Sequence, residues 1–220
     1  MITFDNISVC VMNFPIDLVF LNDESDNVSP EEWNTSLTVI SDIVDAFTIG
    51  ANDVRVGLAA YGDSARTIFD LDDYVTKNDI KAQIEGAVQN VSSSSDQRTA
   101  LQHVCSSLFH QTSTGDRFGV LDVLVILSSR DGPYSSLVSA VENCRSRNPP
   151  MFIISAALKD TTTQLSETIA TSDVSSVYYS NYTDMVDALK LKITDNSLCN
   201  VAGNYIFIFN PKHLTVMTDV

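Results

Sequence analysis

The 220-residue sequence is short of several residue types. It has four cysteines, three histidines, one tryptophan, eight glycines and six prolines. No two cysteines are spaced as C-x-x-C, which excludes that metal or redox pair. Cations are scarce: thirteen Lys+Arg face twenty-eight Asp+Glu, for a net charge of −15. So acidic a surface repels phosphate backbones and anionic lipid, so no nucleic acid partner and no membrane insertion are expected. No run approaches the ~18 apolar residues of a membrane span. Phosphate-cradling strings such as G-x-x-x-x-G-K-[ST] and G-x-G-x-x-G are absent, as is G-x-S-x-G. Apart from Ser92–Ser95 there is no low-complexity tract or repeat. Met1–Asn13 has neither a basic start nor a long apolar stretch, so no signal peptide is visible.

What is present reads as one α/β domain. Ile16–Asn22 (IDLVFLN) and Val120–Leu127 are near-continuous apolar runs, as strands covered on both faces should be. Val54–Tyr61 reads as another strand. Gly62-Asp63-Ser64 then turns into an antiparallel edge strand over Thr67–Leu71. Met151–Ala157 and Ser176–Tyr179 complete about six strands. Ser29 caps a helix that starts at Pro30, with Glu32 closing a capping box and apolar residues recurring to Phe47. Further helices are expected over Asn78–Val88, Thr99–Phe109, Ser135–Arg145, Thr163–Ala170 and Tyr182–Ile193. This alternation predicts a doubly wound, open, mostly parallel sheet with helices on both faces. Right-handed crossovers would place Ile16–Asn22 beside Val120–Leu127. The loops Asn22–Ser29, Asn90–Arg98 and Ser128–Pro133 should meet at the strands' carboxyl ends, where such sheets bind ligands. Residues 1–9 read as a leader, 10–199 as the domain and 200–220 as a tail. That tail, with Tyr205–Phe209 (YIFIF), is compatible with a second module, an added edge strand or a stray segment.

Cys10 and Cys199 lie near the ends of the patterned region, which suggests a staple across its termini. Cys105 and Cys144 fall on helices flanking one strand, on one face of the sheet. They can form a disulfide if their Cα atoms come within ~7 Å, or stay as two buried thiols. N-glycosylation sequons start at Asn6, Asn27, Asn34, Asn90 and Asn181. With paired cysteines, they favour an extracellular origin.

The strand Ile16–Asn22 running into Asp23-Glu24-Ser25, the strand Val54–Tyr61 and the run Val123–Leu127 resemble, in order and spacing, the von Willebrand factor type A domain. The resemblance spans about Cys10 to Cys199, and terminal cysteines joined to each other also occur in that family. It implies an adhesion or matrix module with a divalent-cation site at the three-loop face, built from an Asp and two hydroxyls, a Thr and a second Asp. By that pattern Asp23 and Ser25 match, and Asn27 stands at the third position. Ser95 sits at the expected offset before Ala100-Leu101, with Thr99 the nearest threonine. Ser129 replaces the third-loop Asp, for which Asp131 substitutes only in a longer loop. Arg130 would supply positive charge near Asp23 in place of an ion. The expectation is a site without a metal, or weak for Mg²⁺ or Ca²⁺. The function expected is non-catalytic binding of a protein, such as collagen, another matrix protein or a second copy of the chain. The alternatives are metal-dependent adhesion to an acidic partner, a spacer module, and a hydrolase using Ser64 of the Gly62-Asp63-Ser64 turn. That last reading needs a histidine, and the candidates are His103, His110 and His213.

Overall fold

The computed structural model describes residues 15–109, 114–128, 134–145, 151–157, 176–178, 185–191, 193, 207–210 and 213–216. Strand β1 (Ile16–Asp23) is buried along all eight residues, which is why its sequence is apolar rather than alternating. Helix α1 (Pro30–Asp45) opens with the expected capping box: Glu32 N–H donates to Ser29 Oγ and Ser29 N–H to Glu32 Oε2. Two amide donors that the helix leaves unpaired are thereby satisfied. Strand β2 (Val54–Tyr61) turns through Gly62–Ser64 into β3 (Ala65–Phe69), two residues earlier than the sequence pattern placed it. Helix α2 (Lys77–Glu85) is capped by Thr76 and stops at Gly86.

Helix α3 (Gln97–His103) begins two residues ahead of the pattern because Asp96, not a later residue, caps it. It continues as a π-helical turn over Val104–Leu108. Strand β4 (Leu121–Ser128), helix α4 (Tyr134–Arg145), and strands β5 (Phe152–Ala157) and β6 (Ser176–Tyr178) follow. Residues 185–191 are helical. Strands β7 (Phe207–Asn210) and β8 (His213–Val216) pair antiparallel as a separate two-stranded sheet, so YIFIF does not extend the main sheet. The expected helix over Thr163–Ala170 lies outside the described residues.

The main sheet runs β3-β2-β1-β4-β5-β6, with β3 alone antiparallel. The two central strands, β1 and β4, pair in register from Ile16 opposite Leu121 to Asn22 opposite Leu127. Side chains alternate across the sheet. Leu18 and Phe20 pack with α1, α2 and the segment 185–193, whereas Val19 and Leu21 pack with α3, the π-helical turn and α4. Each fully buried Leu or Phe contributes on the order of 1.5–3 kcal/mol by leaving water. Both faces being covered, the edge at which sheets of this kind bind ligands is the carboxyl end of β1 and β4.

Candidate functional site at the loop face

Asp23 is the last residue of β1 and is fully buried. Its carboxylate accepts the Ser25 backbone N–H at 3.0 Å and the Ser95 hydroxyl at 3.3 Å, so the first and second loops meet on it. The loops are joined again where Asp26 N–H donates to Ser92 O at 2.8 Å. Asn27 turns its amide nitrogen inward and donates to Ser25 Oγ at 3.1 Å.

Beside Asp23, Glu24 points the other way. Its nearly buried carboxylate takes a bidentate contact from Arg66 on β3, at 3.0 Å from Nε and 2.7 Å from the terminal nitrogen. It also accepts the Asn90 backbone N–H at 2.9 Å. Gln89 adds a 2.9 Å bond to Val28 O. Fork-shaped Arg–carboxylate pairs carry geometry as well as energy, so this one holds the edge hairpin and both loops in fixed relation. Gly62 helps: a Cβ there would collide with the Ser92 hydroxyl, so only glycine lets the second loop close on the hairpin.

Beneath the loops lies a polar cluster that the sequence pattern did not reveal. Gln97 Nε2 donates to Ser128 Oγ at 2.7 Å and reaches the Tyr61 hydroxyl at 3.5 Å. All three residues are buried. Burial, then the nearby Asp23 charge, push the Tyr61 phenol far above its ordinary range, while bonds to Ser128, Gln97 and Ser95 partly offset this. Tyr61 therefore stays a neutral phenol at every physiological pH. Among the described residues, the donors that meet Asp23 include the neutral Ser25 N–H and Ser95 hydroxyl. The only hint in the sequence was positional: Tyr61 ends β2 and Gln97 follows the helix cap, both at the carboxyl edge of the sheet.

Thr99 lies elsewhere. It is the third residue of α3, exposed, and its hydroxyl and N–H both bond Asp96, at 2.6 and 3.1 Å. Arg130 and Asp131 lie outside the described residues, as do Cys10, Cys199, Asn6, Asn181 and His110. Asn34 is exposed on α1 and Asn90 on the loop after α2. Cys105 and Cys144 are joined as a disulfide with Cα atoms 5.6 Å apart. Of the two states open to them, the bonded one is adopted, because α3 and α4 are neighbours on one face. Ser64 is exposed in the hairpin turn, and His103 is bonded to Thr67 Oγ1 at 3.0 Å. Among the described residues nothing couples Ser64 to a base.

At the opposite end of β1 and β4, Asp17, Asp116 and Asp122 bring carboxylate oxygens within 4.8 Å of one another. A cation is already supplied there by Arg117, whose guanidinium lies 2.7 Å from Asp17.

The chain was compared with known proteins. The family model described as von Willebrand factor type A domain matches residues 17–192. Human collagen alpha-5(VI) chain is 36% identical over 122 residues, covering 54% of this chain and 4% of that protein. Mouse matrilin-3 is 37% identical over 70 residues, covering 32% and 15%. The chain therefore spans a small fraction of the length of the curated relatives it matches. A solved structure of proximal thread matrix protein 1 from the mussel byssus superposes with a TM-score of 0.73 at 19% identity, over 82% of this chain and 48% of that one. The manganese-loaded TRAP protein of Plasmodium vivax gives 0.67 at 13%, over 83% and 75%. These two show the same fold. Another structure of the mussel protein has zinc in its MIDAS motif. In this chain the Asp23 carboxylate accepts from the Ser25 backbone N–H and the Ser95 hydroxyl, and the Ser25 hydroxyl accepts from Asn27. A hard divalent ion takes about six oxygens, several of them from water, and Asp23 and Ser95 bring one carboxylate and one hydroxyl together where the family pattern places such an ion.

Proposed function

This chain belongs to the von Willebrand factor type A family, and we propose that it is a non-catalytic protein-binding module of an extracellular adhesion or matrix protein, engaging its partner without a metal ion. Family members act mainly as adhesion and matrix modules, and the relatives named above include a collagen VI chain and a matrilin. The observation that carries the metal-independent part is the environment of Asp23. Its charge is met by Ser25 N–H and Ser95 Oγ–H, and its neighbour Glu24 is committed to Arg66. The partner proposed is a matrix protein, such as collagen, or a second copy of this chain. The competing reading, weak Mg²⁺ or Ca²⁺ binding with capture of an acidic partner, rests on the meeting of Asp23, Ser25 and Ser95.

Titrating Mg²⁺, Mn²⁺ and Ca²⁺ into EDTA-treated, oxidised protein while following the thermal midpoint decides between them. A site specific to the folded state adds about 2.7 kcal/mol at a hundredfold excess over Kd. The expected result is a flat response. A saturable rise that disappears in Asp23→Ala overturns the metal-independent reading in favour of the competing one.

A further inference from the structure

We propose that Asn90 carries an N-linked glycan rooted at the rim of the loop face, and that Asn27 does not. The proposal rests on the extracellular reading, because such glycans are added to chains in the secretory path. Both residues open sequons beside Asp23, and the fold treats them differently. Asn27 is partly buried and its amide nitrogen, the atom that a sugar would replace a hydrogen on, is directed at Ser25 Oγ at 3.1 Å. A sugar there would stand against Ser25 and the Asp23 carboxylate. Asn90 is exposed on the loop between α2 and α3, and its side chain makes no hydrogen bond among the described residues.

A second observation points the same way. Val88 and Val91, 77% and 60% exposed, are two of the five large apolar residues that the described chain leaves in solvent, and they flank Asn90. The first sugars of an N-glycan are bulky and amphipathic, and would cover this apolar pair while keeping the surface soluble. The backbone beneath is rigid enough to aim the glycan: Asn90 N–H is held by Glu24, and Ser92 Oγ both donates to Ser94 O and accepts Asp63 N–H. In the transfer step, Asn90 Nδ2 attacks the anomeric carbon of a lipid-pyrophosphate-linked oligosaccharide. A C–N bond forms, the C–O bond to pyrophosphate breaks, the lipid pyrophosphate leaves with the bonding pair, and one amide proton passes to a base of the transferase. The consequence is steric: a broad partner surface cannot lie flat across the first and second loops.

The test is secretion of the chain from a glycosylating cell behind an added leader, with glycan removal by peptide N-glycosidase in ¹⁸O-water and peptide mass mapping. Asn90 should read as labelled Asp and Asn27 as unmodified Asn, and N90Q should lose the mass of one glycan. The cell-retained fraction is mapped in parallel, so a poorly secreted variant still reports. An unmodified Asn90, or an occupied Asn27, overturns the proposal. Either result leaves the extracellular reading standing, since that reading is tested by partner binding and the ion titration, which do not require occupancy.

Discussion

Arg117 and Asp17, a hundred residues apart in the chain, form a three-point contact at the amino ends of the central strands. The Arg117 backbone N–H meets Asp17 Oδ2 at 2.7 Å, and its guanidinium meets Oδ1 at 2.9 Å from Nε and 2.7 Å from a terminal nitrogen. The same guanidinium donates to Ile16 O, Asp53 O and Ala51 O, so it pins the start of β1 to the loop before β2. Asp17 is fully buried and Arg117 15% exposed.

Arg117→Ala should therefore cost about 3–5 kcal/mol, because it leaves a buried carboxylate uncompensated near Asp116 and Asp122. Burial already raises the Asp17 pKa, with Arg117 pulling it back, and the variant loses that pull. A raised folded-state value means stability is fullest below the unfolded value and is lost as pH rises through the folded one. The deficit against wild type in urea unfolding should thus shrink as the pH is lowered into the carboxylate range. A deficit that is the same at pH 7 and pH 3.5 would refute this account.

The Cys105–Cys144 bridge closes a sequence separation of 39 residues. In the chain-entropy model such a loop gives at most about 4 kcal/mol. A Cys105→Ser/Cys144→Ser protein should unfold at a lower urea concentration than the oxidised wild type, with an equal or steeper slope because its unfolded chain is less compact. Equal midpoints would mean that α3 and α4 are held by their apolar contacts alone.

His103 is half-buried between Thr67 and the acidic turn at Asp70, and burial holds its pKa below the usual imidazole value, with Asp70 opposing weakly. The folded protein thus binds this proton less readily than the unfolded chain. Stability rises with pH through that interval, so it is present above about pH 6.5 and falls below it. The thermal midpoint should drop between pH 7.5 and 5.5, and His103→Gln should flatten that drop. Asp70, whose own pKa is raised by burial and by Asp73 and Asp72, acts in the lower carboxylate range with the opposite sign. A variant whose pH profile overlays wild type would exclude His103 as the source.

The edge hairpin and the first helix cap were legible in the sequence because their causes are local, and the central pairing of β1 with β4 followed from crossover handedness. Ile16–Asn22 must be apolar if helices cover both faces, and Ser29, Pro30 and Glu32 form a capping box within one turn. The start of α3 was misplaced for an equally local reason: apolar spacing marks only the body of the helix, whereas the Asp96 carboxylate, accepting the Thr99 N–H, sets its start two residues earlier.

By itself the sequence determined the fold class, the pairing of β1 with β4 and the presence of Asp23 and Ser25 at a strand end, since hydrophobic patterning and crossover handedness do not depend on side-chain contacts. The tertiary structure alone decided that Glu24 turns to Arg66, that Ser95 reaches Asp23, and that Tyr61, Gln97 and Ser128 meet beneath the loops. These contacts depend on a few ångströms of closure between segments 31 to 72 residues apart. A hydrogen bond weakens steeply beyond about 3.5 Å, so side-chain identity cannot choose the partner until the sheet has set the distance.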